Sequence, residues 1–167
     1  MRHGSEIRLP GLALIDLIQS ILQGGSSVRI QANGCSMSPF IRNGDMVMLS
    51  SLAADSPGLG DVVAFRSAGT DRLTLHRVTG KVKDSYLIRG DNCAEADGLV
   101  SKGDILGRVC RVERNGSDVF LGLGLERQLI AFLSGRDHIA RLKILFYRIL
   151  DFRRAILRRR VLVPSAV

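Results

Sequence analysis

The chain has no tryptophan, 5% aromatic residues, three cysteines and four prolines, and it has no long uninterrupted apolar run. Each shortage excludes something. With so few rings, the core must be built from Val, Leu and Ile. Cys35, Cys93 and Cys110 are odd in number and lack metal-ligand spacing, so neither a zinc site nor a disulfide framework is expected. Thiols of this kind fit a reducing compartment. The longest early apolar stretch, Leu9 to Leu22, is interrupted by Pro10, Asp16 and Gln19. It falls short of the roughly 20 apolar residues that a spanning helix takes, and no secretory signal is visible. The expected location is therefore cytoplasmic or peripheral to a membrane, with no cofactor.

What is present points to a sheet. At 167 residues the chain is the size of one domain with its own core. Eighteen glycines against four prolines suggest many tight turns. The net charge of +8 is unevenly spread: residues 126–160 hold ten Lys/Arg and three Asp/Glu, so the rest of the chain is almost neutral. Residues 1–27 read as an N-terminal amphipathic helix and linker. The helix covers 10–23, with Leu12, Ile15, Ile18 and Leu22 on one face, and Gly24-Gly25-Ser26-Ser27 ends it. Residues 28–123 read as short strands: Val28–Ala32, Met46–Leu49, Val62–Phe65, Leu73–Val78, Tyr86–Ile88, Ile105–Val112 and Val119–Leu121. Turn signals at Asn43-Gly44-Asp45, Pro57-Gly58, Ala68-Gly69, Gly90-Asp91 and Asn115-Gly116 separate them. Residues 124–167 read as a basic helical tail, with a short helix over Glu126–Leu133 and a long one over His138–Arg160. The expected class is mainly β: a curled, antiparallel, barrel-like sheet flanked by helices.

Within the sheet region, a serine, a histidine and an aspartate occur in order. Ser36 sits in Gly34-Cys35-Ser36-Met37-Ser38-Pro39, His76 in Leu75-His76-Arg77-Val78, and Asp91 and Asp97 follow in and after Gly90-Asp91-Asn92. A hydroxyl becomes a competent nucleophile when a base takes its proton, and the base needs an orienting carboxylate. Taken singly, each residue has a plainer reading. A serine in a Gly-rich turn is usually a turn residue, and a histidine in a strand is usually structural. The combination favours catalysis.

The ordered set Gly-x-Ser-Met-x-Pro, Gly-Asp at 44–45, His-Arg at 76–77, and Gly-Asp-Asn at 90–92 with Asp97 after it resembles the type I signal peptidases over about residues 28–112. A histidine in place of the bacterial lysine is similar to the archaeal and endoplasmic-reticulum branch. The resemblance implies a barrel-like sheet of signal-peptidase type and a serine endopeptidase that cuts leader or signal segments after small residues. Ser36 would be the nucleophile, His76 the general base, and Asp97 the third member, with Asp91 the alternative and otherwise holding its turn. The substrate, a peptide or preprotein, would add as an extended strand beside Ile30, Gln31 and Ala32 and beside Thr74 and Leu75. The backbone N–H of Ser36 would stabilise the oxyanion. Many relatives add a serine hydroxyl where this chain has Gly34, so that donor is missing. Cys35 is a competing nucleophile beside Ser36. Gly44 and Asp45 read as structural and Met37 as packing; His3 and His138 read as solvent-facing.

The family usually has a membrane anchor, and this chain shows none. The arginine-rich tail, with Ile139, Leu142, Phe146, Ile149 and Ile156 at helical spacing, could lie on an anionic membrane surface or pack on the domain. Two other readings remain. One is a self-cleaving repressor-type regulator, with Lys81 or Lys83 as base in place of His76. The other is a non-catalytic binding module using the basic tail. The tail's aromatics, Phe146, Tyr147 and Phe152, sit at core-like spacing, so nothing points to nucleic acid.

Overall fold

The computed structural model describes residues 11–52, 55–67, 69–70 and 72–134. The expected helix over 138–160, residues 1–8, His3 and His138 lie outside the described residues. Helix α1 spans Gly11–Gln23, followed by β1 (Val28–Gln31), β2 (Met46–Ser50), β3 (Val62–Ser67), β4 (Arg72–Val82), β5 (Ser85–Arg89), β6 (Ala96–Ser101), β7 (Ile105–Arg114), β8 (Ser117–Asp118) and α2 (Arg127–Ser134). The strands form one antiparallel sheet in the order β1-β2-β7-β3-β4-β5-β6, and β8 pairs with β7. Among the described residues the protein is mainly β, a curled half-barrel sheet with two α-helices.

The central strand explains the curl. Val62, Val63, Ala64 and Phe65 of β3 are all buried, and successive residues of a strand face opposite sides. Val62 and Ala64 join Val47, Leu49, Val109 and Val112 in one core, together with Ile18 and Leu22 of α1. Val63 and Phe65 join Val78, Tyr86, Ile88, Val100 and Ile105 in a second. A strand buried on both faces must have the sheet folded over it on one side and α1 on the other.

Two expectations need correction, and one strand was not foreseen. Leu12 is exposed, and the buried face of α1 is Ile15, Ile18 and Leu22, with Leu14 packed against the first core. Val119–Leu121 is not a strand: β8 precedes it, the Val119 N–H donates to the Val112 carbonyl, and Phe120 already faces solvent. Ala96–Ser101 is a strand that the sequence pattern hides.

A part-buried arginine–carboxylate cluster fixes the loop between β1 and β2. Arg114 donates to both oxygens of Asp45 at 2.8 and 2.7 Å and to the Phe40 carbonyl. The Arg42 N–H also donates to Asp45. The Gly44 N–H donates to the Ala32 carbonyl and the Ala32 N–H to the Asp45 carbonyl, so residues 32–45 are pinned at several points. Burial pushes the Asp45 carboxyl up, but the Arg114 and Arg42 hydrogen bonds and charges outweigh it and hold the carboxyl below its ordinary value. Its contribution to stability is therefore complete above the ordinary carboxylate range, about pH 4, and is lost as pH falls through the lower folded value. Urea unfolding should show the gap between wild type and Asp45→Asn closing as pH drops from about 5 towards 2. A constant gap would remove Asp45 from the acid response.

Candidate active site

His76 and Arg77 are neighbours on β4, so their side chains leave the strand on opposite faces. His76, 6% exposed, has its Nδ1 2.5 Å from Asp97 Oδ2. Arg77, fully buried, donates Nε and Nη2 to the two oxygens of Asp91 at 2.8 and 2.7 Å. Its Nη1 donates to the carbonyls of Gly60 and Gly122, and its guanidinium lies over the Phe40 ring. Ser134 Oγ completes the Asp91 shell. The two aspartates thus have separate partners: Asp97 meets the imidazole, and Asp91 meets the buried guanidinium.

A β-bulge brings Asp97 to its place. In the β5–β6 pair, Ile88 faces Gly98 and Arg89 faces Ala96, so Asp97 is the extra residue. Gly98 has φ 89°, a conformation that glycine adopts without a Cβ penalty. Bulges commonly redirect a side chain near functional sites, and this one places the carboxylate against His76.

Ser36 follows β1 in the pinned loop. Asn92 bridges this loop to the segment after β5: its N–H donates to the Ser36 carbonyl at 2.6 Å and its Nδ2 to the Cys35 carbonyl at 3.1 Å. Gly90 sits at the junction. A Cβ built there would lie 2.8 Å from the Ser36 carbonyl oxygen, 2.9 Å from His76 Nε2 and 2.6 Å from Cys93 Sγ. The free nitrogen of the imidazole and the Ser36 backbone therefore flank one glycine that has no room for a side chain. No hydrogen bond links Ser36 Oγ to His76 Nε2 among the described residues. Such bonds often tighten only with substrate bound.

Gly90→Ala should force these three groups apart. Displacements of about 1 Å at reacting groups can cost on the order of a hundredfold in rate. Under the nucleophile expectation for Ser36, the kcat of peptide cleavage should fall by that amount. Undiminished kcat in Gly90→Ala would show that Gly90 does not set the spacing of Ser36 and His76.

A cleft of about 430 Å³ opens beside Ser36. Ile30, Gln31, Ala32, Thr74 and Leu75, the residues expected to hold substrate, all line it. Among the described residues, strand β1 pairs only with β2, and β4 pairs with β5 only from Arg77 onward. The cleft thus lies between two strand edges with unused backbone donors and acceptors, which is what an added strand requires. Gly34 has φ 98° and its N–H donates to Asn43 Oδ1, so that N–H is engaged within the loop. Cys35 is exposed, and Met37 is buried in the first core.

The alternative bases lie elsewhere. Lys81 Nζ sits 5.4 Å from the centroid of the Tyr86 ring, and Lys83 occupies the β4–β5 turn. The sequence reading gave no roles to Asn92, Gly90 or Arg77, although all three fall inside the ordered motifs; their contacts cross between distant segments and need the fold. Among the described residues, no group of three or more His, Cys, Asp or Glu side chains could hold a metal ion, and no helix is long and apolar enough to cross a membrane. No family model matches the chain.

Proposed function

We propose that the chain is a Ser/His endopeptidase of signal-peptidase type that cuts leader or signal segments after small residues. The observation that carries this reading is the contact of His76 Nδ1 with Asp97 Oδ2, with Nε2 turned towards the Ser36 loop. Asp97 accepts a hydrogen bond from the Nδ1–H, which keeps the proton on Nδ1 and leaves Nε2 as the basic nitrogen. Nε2 takes the Ser36 hydroxyl proton as Oγ attacks the scissile carbonyl, and it then gives that proton to the leaving amine. A water attacks the acyl-enzyme by the same route in reverse order, releasing the new carboxylate and restoring the hydroxyl. The Ser36 N–H is the oxyanion donor in this scheme. With Gly34 in place of a serine, one donor is missing, and a single donor is worth about a hundredfold in rate. The enzyme is therefore expected to be slow on short peptides.

The open edges of β1 and β4 support binding of the substrate as an extended strand. The basic segment 126–160 supports an anionic membrane surface as the place of action. The test is cleavage of a small-x-small peptide library by wild type and Ser36→Ala, with and without anionic vesicles. Cleavage by wild type alone supports the assignment, and a vesicle requirement supports the membrane surface. Equal cleavage by both proteins refutes the nucleophile.

A further inference from the structure

We propose that the cleft selects substrates with an acidic side chain about four residues from the bond that is cut, and that Arg72 is the residue that selects them. The position of the cut rests on the peptidase reading above; the charge of the cleft does not. Among the described residues that line the cleft, the charged ones are Arg42 and Arg72, and none is a carboxylate. The Arg42 guanidinium donates Nε to the neutral Pro39 carbonyl, and the carboxylate on which its charge bears, Asp45, is already gripped by Arg114 with two bonds. Two guanidinium groups therefore face one acid, and the cleft keeps a positive excess. Arg72 is exposed at the mouth and forms no ion pair among the described residues.

Strand geometry supplies the spacing. Arg72, Thr74 and His76 share one face of β4, because side chains alternate along a strand. Four residues at about 3.3 Å each put Arg72 about 13 Å from the base. A peptide laid along the free edge of β4 advances by the same rise per residue, whichever way it runs. The side chain four residues from the one beside His76 then reaches Arg72. Partial exclusion of water by the peptide strengthens the attraction relative to a fully exposed pair. The apolar floor formed by Leu14, Ile41 and Leu73 takes the intervening side chains.

The experiment uses peptides with one small-x-small site and a single Glu, Gln or Lys moved stepwise from two to six residues on either side of the cut. Binding is read by fluorescence anisotropy on the Ser36→Ala protein, and cleavage on the protein with Ser36 intact. The expected result is a maximum when Glu stands about four residues away on one side. There, Glu binds about tenfold tighter than Gln at low salt, and the advantage shrinks as added salt screens it. Arg72→Glu should reverse the order, so that Lys binds more tightly than Gln and Gln more tightly than Glu. Equal binding of the three peptides at every position overturns the proposal, as does an order unchanged by Arg72→Glu. Acid-selective binding without cleavage supports the cleft assignment while refuting the peptidase reading, so the two failures stay distinct.

Discussion

Ser36→Ala and His76→Ala should each lower kcat/KM for a cleaved peptide by about four orders of magnitude or more, and the double variant should be little worse than either alone. Groups that act as one unit lose their joint effect when any member is removed. Asp97→Asn is the more informative variant. It keeps the shape but replaces the acceptor at Nδ1 with an amide, which can hold the imidazole in the wrong tautomer. In serine proteases such a change costs up to about 10⁴ in kcat. The Asp97 side chain is 24% exposed, and it contacts His76 from an edge strand, so a smaller loss of about 10²–10³ is expected here. The imidazole tautomer separates this role from a structural one. Nitrogen NMR of the His76 ring should place the proton on Nδ1 in the wild type, and Asp97→Asn should move it while the backbone spectrum stays that of the folded chain. An Asp97→Asn enzyme with unchanged rate and tautomer would remove the carboxylate from the mechanism.

The second large effect concerns stability. Asp91→Asn should cost about 3–5 kcal/mol, because it leaves the Arg77 guanidinium without its counter-charge in a site with no solvent exposure. Arg77 also ties β4 to Gly60 and Gly122, so the damage should spread to both connecting loops. The double variant Arg77→Met with Asp91→Leu should recover much of the loss, since apolar replacement of a buried pair is often near neutral. Urea unfolding of the three variants measures this directly. If Asp91→Asn cost less than about 1 kcal/mol, the fixed buried pair could not be the main tie between these segments.

The two predictions divide the aspartates as the structure does, and this division shows what the sequence could carry. Apolar patterning was enough for α1, β1 to β5, β7 and α2, because each has the repeat of one buried face or, in β3, the continuous apolar run of a strand buried on both. It was not enough for β6. Ala96-Asp97-Gly98 has the composition of a turn, and only pairing with β5 makes it a strand. That same disguise conceals the bulge that aims Asp97. Val119–Leu121 failed in the opposite direction: three apolar residues look like a strand, but the ladder ends at Asp118 and Gly122 turns with φ 98°.

In the candidate site, Ser36 and His76 stood out as candidates because they sit in short ordered motifs. The preference for Asp97 over Asp91 came from the resemblance. His76 and Arg77 are adjacent, and each faces a different aspartate across the strand; spacing along the chain gives no sign of which goes where. The bridging role of Asn92 was hidden for a related reason, since its two bonds reach back more than fifty residues to Cys35 and Ser36.

The central claim is that Ser36 is a nucleophile activated by His76. It is tested most directly by a serine-directed phosphonate electrophile, with the modified residue mapped by mass spectrometry of the intact chain and its peptides. The account predicts a single adduct on Ser36 that disappears in Ser36→Ala, and that forms far more slowly in His76→Ala while the chain stays folded. Labelling at Cys35 or Cys93 in place of Ser36, or equal labelling in His76→Ala, would contradict it.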